Sequence, residues 1–320
     1  MSGAQTTAGP LAQWPGGRPV RLATRGSPLA RRQTDMVAHL LAQAAAGLRV
    51  EAVVVRTEGD RRPEEPLERI GGQGVFAKEV QQAVLDGRAD VAVHSAKDLP
   101  PVTPAGLVLA AVPARGDPRD ALVGATLARL RPGARVATGS ARRRAQLANL
   151  RPDLTFVPVR GNIETRVARL GEGADAVVVA AVALERLGIA PKALDVLSPL
   201  TMLPQVGQGA LALECAEGDL AVRTLLHALD VDLAHRALDA ERAMLAALGA
   251  SCVLPVAGFA EPGPGGLTLR GMVASADGRV LIRAEQSGGD PERLGADVAR
   301  ALWHDLGGSE LLGVGPAPVR

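Results

Sequence analysis

The chain has 320 residues, enough for two or three domains, with 47% hydrophobic and 22% charged residues, which excludes a disordered chain. A formal net charge of +2 and an aromatic content of 2% argue against a nucleic-acid binder, which combines a basic excess with stacking aromatics. Two cysteines, Cys215 and Cys252, form neither a disulfide framework nor a zinc ligand set, so a reducing cytoplasmic setting is expected.

Residues 1–18 have neither a basic start nor an apolar core, and are expected to be a flexible tail rather than a signal peptide. From residue 19, β-type runs alternate with helical patterns. "PVRLATR" predicts a strand ending at Arg25. The following helix has Ser27 as N-cap, Pro28 at its first position and Gly47 beyond its end. "RVEAVVVRT" is a strand, "GVFAKEVQQAVLDG" a helix and "ADVAVHSA" a buried strand that runs into Lys97-Asp98. The proline-rich "DLPPVTPAGL" reads as a connector, after which the alternation restarts over residues 115–203. This pattern predicts α/β domains with largely parallel sheets.

"LPQVGQGALALECA" reads as a crossing back toward the first domain. Beyond residue 229 come a long helix, "DLAHRALDAERAMLAALGA", then a hairpin around Asp277-Gly278 and a last helix, "PERLGADVARALWHDL". The longest apolar run, "AVVVAAVAL", falls well short of the roughly 20 residues a membrane span needs. The expected organisation is domain 1 over 19–114 with 204–228, domain 2 over 115–203, and an α+β domain 3 with an antiparallel sheet over 229–320.

One pattern recurs. A strand ends, a Gly/Ser/Thr/Asn turn follows, and a helix begins with arginine in or next to its first turn. It appears in "ATRGSPLARR", "ATGSARRRAQ" and "VRGNIETRVA", and more weakly in "AVALERLG". A cation at the positive end of a helix is locally unfavourable by a few tenths to about 1 kcal/mol unless an anion shares the site. Backbone N–H groups and guanidinium forks at the C-terminal ends of strands suit carboxylate or phosphate. The candidates are Arg25, Ser27, Thr138, Ser140, Arg142, Arg143, Arg160 and Arg166. Any one instance alone reads as surface charge in an arginine-rich chain; three in one structural position point to an anion with several charges. Asp98, beside Lys97, suits an acid, base or charge stabiliser, against the commoner role of a loop salt bridge. His94 and Cys215 read as structural. Cys252 reads locally as a buried small side chain, a nucleophile or an attachment point.

The segments "ATRGSPLA", "GGQGVFAKEV", "DVAVHSAKDLP", "DPRDAL", "RRRAQLANLRPDL", "RGNIETR", "LPQVGQGALALEC", "AERAML" and "GASCVLPV", in that order, resemble the signature segments of the porphobilinogen deaminase (hydroxymethylbilane synthase) family over about residues 19–310. The resemblance implies two periplasmic-binding-protein-like α/β domains flanking a cleft, plus a small C-terminal α+β domain. It also implies a transferase of tetrapyrrole biosynthesis that joins four porphobilinogen molecules head to tail and releases ammonia. A dipyrromethane cofactor would be attached by a thioether to Cys252. Asp98 would be catalytic and also touch the cofactor, alongside Lys97, Ser27, Thr138, Ser140, Arg142 and Arg143. Arg25, Arg160, Arg166, Arg186, Phe76 and Gln208 would bind substrate. A monomer without metal, nucleic acid or membrane is expected. Gln73, Glu58 and Gly139 depart from the family's usual residues. A non-catalytic two-domain binder of a small polyanion, or a transferase using Cys252 as nucleophile, are the competing readings.

Overall fold

The computed structural model describes residues 17–61, 74–249 and 255–311; residues 1–16 of the expected tail, Gln73 and Cys252 lie outside them, whereas Arg18 at the tail's end pairs with Asp90 at 2.9 Å. The chain begins with β1 (Val20–Arg25), α1 (Pro28–Ala44), β2 (Val50–Val55), α2 (Glu58–Arg61), α3 (Lys78–Leu85), β3 (Val91–Ser95) and β4 (Leu107–Ala111). α1 starts where the sequence predicts. The Ser27 side chain accepts from Ala30 N, Pro28 opens the helix, and Gly47 takes φ +77° beyond its end. Its inward stripe is Gln33, Thr34, Val37 and Leu41, at helical spacing. Val37 and Leu41 are fully buried, and a buried Leu contributes roughly 1.5–3 kcal/mol.

The second group is β5 (Asp120–Val123), β6 (Arg135–Ala137), α4 (Ala141–Leu150), β7 (Thr155–Val157), α5 (Ile163–Val167), β8 (Ala176–Ala180), α6 (Ala181–Leu187) and β9 (Leu194–Val196). The chain then returns through β10 (Leu211–Ala216) and α7 (Leu220–His227), and finishes with α8 (Asp232–Ala247), β11 (Val256–Gly263), β12 (Gly266–Ala274), β13 (Leu281–Gly288) and α9 (Pro291–Arg300).

Two five-stranded sheets have one plan. The first is ordered β2-β1-β3-β10-β4 and the second β7-β6-β8-β5-β9. In each, the first three strands are parallel and the fourth is antiparallel to its neighbours. The fourth strand is the one reached by a crossing: β5 after the first group, β10 after the second. This is the periplasmic-binding-protein-like plan, two lobes joined by two crossings. The central strands β3 and β8 are buried along nearly their whole length, which is why they read as continuous apolar runs. A third, antiparallel sheet, β11-β12-β13, packs against α8 and α9, with Met244, Leu267, Leu269 and Leu302 in its core. Among the described residues, no helix is long and apolar enough to cross a membrane.

The two crossings lie side by side. Gly116 N donates to Gly209 O at 3.1 Å, and Arg115 Nε donates to Gln208 O at 2.9 Å. Gly207 and Gly209 have φ +72° and +90°, and a Cβ at Gly209 would sit 2.4 Å from Gly116 O. The glycines of "VGQGA" are therefore required by left-handed backbone and by close approach together.

Candidate active site in the cleft between the sheets

Strand ends deliver the polar groups. Arg25 ends β1, and its Nη2 lies 2.6 Å from Asp60 Oδ1 and its Nη1 3.8 Å from Asp98 Oδ2. Its guanidinium carbon lies 3.9 Å from the centroid of the Phe76 ring, a cation–π contact. That ring leaves no room for a Cβ at Gly59, which would lie 2.1 Å away. Asp60 is further held by Thr57 Oγ1 at 2.8 Å. Lys97 and Asp98 form the single 3₁₀ turn Ala96–Asp98 that follows β3. Ala96 N donates to Ala210 O at 3.0 Å, which ties the turn to the returning crossing.

The second lobe supplies α4. Ser140 caps it by accepting from Arg143 N at 3.4 Å, and Thr138 Oγ1 accepts from Ser140 N at 3.2 Å. Gly139 lies at the tip, where a Cβ would come within 2.8 Å of Val159 O. The absence of a side chain here lets the ends of β6 and β7 close together. Arg142 and Arg143 are buried and converge on Asp120, the first residue of β5. Arg142 Nη1 lies 2.7 Å from Asp120 Oδ2, and Arg143 Nη2 lies 2.8 Å from Oδ1. Arg142 also donates to Leu203 O at 2.6 Å, and Arg143 to Val178 O at 2.9 Å. Burial alone pushes the Asp120 carboxyl up, but the two guanidinium charges overcome this and hold it far below the usual carboxylate range.

Gln208 is fully buried and donates to Asp120 Oδ1 at 3.0 Å and Pro118 O at 2.7 Å. It braces the arginine pair from the second crossing. Asp120 is the functional residue that the sequence reading missed. Its signal was an aspartate heading the wholly apolar strand segment "ALV", a position that a carboxylate occupies only with cationic partners.

The charges of the two lobes meet at Lys97. Burial pushes its amine down to about 8, and the Arg143 charge pushes in the same direction, against Asp98 and Asp120. Burial, then Arg143, likewise lower Arg166 to about 10, with Asp98 opposing and Arg160 adding to the shift. Arg25, Lys97, Asp98, Arg143, Arg160 and Arg166 thus form one electrostatic cluster, in which cations outnumber carboxylates. Arg160 is exposed on the loop before α5, and Asn162 caps that helix.

The arginine-at-helix-start pattern holds at α4, at α1, where Arg25 lies two residues before the Ser27 cap, and at α5, where Arg160 lies two residues before the Asn162 cap; it needs correction at α6. α5 and α6 are so short, at five and seven residues, that Arg166 and Arg186 fall in their last turns. Arg186 donates to Gly209 O at 2.8 Å, linking α6 to the second crossing. It also lines, with Lys97, Ser95, Gln33 and Leu29, a narrow cavity of about 20 Å³ between the lobes. A wider cavity of about 570 Å³ opens beside Ser27, Asp60, Arg56 and Arg61. His94, read as structural, is buried with Nε2 3.2 Å from Glu214 Oε2. Cys215 is core, and burial followed by the Asp219 charge raises its thiol to about 11. His235 pairs with Asp230 at 2.8 Å.

Residues 20–224 match the family model "Porphobilinogen deaminase, dipyromethane cofactor binding domain", and residues 236–304 match "Porphobilinogen deaminase, C-terminal domain". The porphobilinogen deaminase of Syntrophobacter fumaroxidans is 44% identical over 301 residues, covering 92% of this chain and 97% of that protein. Those of a Roseiflexus species and of Stenotrophomonas maltophilia are each 46% identical, covering 91% and 92% of this chain and 97% and 99% of theirs.

Proposed function

The chain belongs to the porphobilinogen deaminase family, and on that premise we propose that Asp98 and the cations around it carry out the family's reaction here. The protein is a transferase that condenses four porphobilinogen molecules into hydroxymethylbilane with loss of ammonia, primed by dipyrromethane. The family match favours this reading over the competing ones, a polyanion binder and a cysteine-nucleophile enzyme.

The observation that carries the assignment is the surplus of cations over carboxylates around Asp98. Porphobilinogen and dipyrromethane bear acetate and propionate groups. Lys97 and Arg166 are held below their ordinary basicity by burial and by Arg143, so a ligand carboxylate beside them relieves an existing repulsion. The donor set therefore fits the cofactor. Lys97, Ser27, Thr138, Ser140, Arg142 and Arg143 hold its carboxylates, and Cys252 anchors it. When bound, it supplies a free pyrrole α-carbon as the first acceptor.

Arg25, Arg160, Arg166 and Arg186 bind the carboxylates of incoming porphobilinogen, with Phe76 and Gln208 shaping the site. Asp98 delivers a proton to the departing amine, which leaves as ammonia. Its carboxylate, 3.8 Å from Arg25 Nη1, then stabilises the positive charge on the substrate pyrrole. After the carbon–carbon bond forms, Asp98 takes the displaced α-proton, which restores the starting state for the next addition. The domains are taken as 19–114 with 204–228, 115–203 and 229–320, and the enzyme as a cytoplasmic monomer.

Intact-mass measurement of purified protein tests this. We expect an excess equal to two linked pyrroles, lost in Cys252→Ser. Asp98→Asn should keep the excess and turn over about 10²–10⁴-fold more slowly. Active protein of unmodified mass, or near-normal turnover by Asp98→Asn, overturns the assignment.

A further inference from the structure

We propose that Arg242 of α8 is a positioning residue for the Asp98 carboxylate, a role that rests on Asp98 being the reacting group. The turn Ala96–Asp98 leads directly into Leu99-Pro100-Pro101. Leu99 N donates back to Ala96 O at 3.2 Å, but Pro100 and Pro101 lack backbone donors, so beyond Leu99 only carbonyls are left to tie this segment down. Arg242 Nη2 does so, donating to Pro100 O at 3.2 Å and to Thr103 Oγ1 at 3.0 Å. The other side of the turn is held by the returning crossing, through Ala96 N to Ala210 O and Gln205 Nε2 to Lys97 O at 3.3 Å. Asp98 therefore sits between two clamps, one from the crossing and one from α8.

Arg242 is only 8% exposed, and its Nε is buried without a hydrogen-bond partner. Burial disfavours its charge, which Glu214 and Asp239 offset from β10 and α8. Placing a guanidinium there is costly for stability alone. No hydrogen bond or ion pair joins Arg242 to Asp98 among the described residues, so its effect travels through the backbone of residues 99–103. The preceding residue on α8, Glu241, holds both crossings. One helix thus holds the reacting turn and the two crossings together.

The test uses the cofactor-loaded full chain. Arg242→Met should keep the mass excess, lower kcat about 10- to 100-fold and leave KM within about twofold, because a misplacement of about an ångström costs rate more than binding. Arg242→Lys, which keeps a cationic donor at this position, should recover part of the loss. The decisive readout is coupling: Arg242→Met should slow wild type but not slow Asp98→Asn further. A wild-type kcat in loaded Arg242→Met, or losses that multiply in the double variant, overturns the proposal. If Arg242→Met does not accumulate, Thr103→Val decides it: kcat lowered about threefold at constant KM supports it, and unchanged kcat overturns it. Near-normal turnover of Asp98→Asn alone removes the underlying role of Asp98, and the proposal with it, whatever the Arg242 variants do.

Discussion

Lys97 concentrates the electrostatics of the cleft in a single titratable group. Burial and the neighbouring Arg143 both disfavour its ammonium, so the folded protein releases that proton near pH 8 rather than near 10.5. Between those values the unfolded chain still holds the proton. Stability contributed at this residue therefore rises with pH across that window, and the full penalty is present below it. A ligand carboxylate beside Lys97 adds negative charge and reverses the shift, so binding near pH 8–9 takes up a proton. The chain has just three lysines, Lys78, Lys97 and Lys192, which makes the residue easy to follow. Competitive acetylation across pH, read by peptide mass, should show Lys97 in cofactor-free protein gaining reactivity from about pH 8. In loaded protein that rise should move to higher pH. A Lys97 that stays unreactive until pH 10 in the cofactor-free protein contradicts this account.

At the scale of elements, short left-handed links do what helices and strands cannot. Gly47 and Gly209 both have positive φ, but only Gly209 has backbone within reach of a Cβ, Gly116 O at 2.4 Å; Gly47 faces open space. Gly47→Ala should cost only the left-handed backbone penalty, about 1–2 kcal/mol. Gly209→Ala must also push the two crossings apart, and its loss, read from chemical denaturation midpoints, should clearly exceed that of Gly47→Ala. Equal losses would show that the crossings are loosely coupled. The elements themselves were largely legible. α1 was bounded by its cap, its proline and its glycine, β3 and β10 by apolar runs, and the last hairpin by Asp277-Gly278. β9 was not legible: its three residues, Leu194–Val196, carry an aspartate at the centre and no apolar run on either side. Arg186 was placed correctly in sequence but on the wrong end of its helix, since α6 ends one residue later. The partners of the arginines were invisible for a different reason. Asp60 and Asp120 meet Arg25 and Arg142 only through sheet topology, at separations that no local pattern reports.

The whole molecule is joined at Glu241. This carboxylate is fully buried on α8 and accepts from Arg115 Nη1 at 2.6 Å, Gly207 N at 2.7 Å and Ala260 N at 2.8 Å. These partners belong to the first crossing, the second crossing and β11. Arg115 also lies 5.0 Å from the Phe259 ring centroid, which adds a contact between the same pieces. A single side chain thus registers the two crossings against each other and the third sheet against both. Glu241→Gln keeps the shape but replaces an acceptor-only carboxylate with a group whose NH₂ must face a donor, and it leaves Arg115 without its charge partner. Removing one member of such a buried pair costs about 3–5 kcal/mol. The loss should be regional, because the sheets retain their own cores. Hydrogen exchange should therefore accelerate at the amides of Gly116, Gly207 and Ala260, while those of α1 and β8 keep their protection. A uniform acceleration across all three sheets would mean that Glu241 supports global stability alone. No change at the three amides would mean that the crossings are held in register without it, and that lobe movement is set by the glycine links.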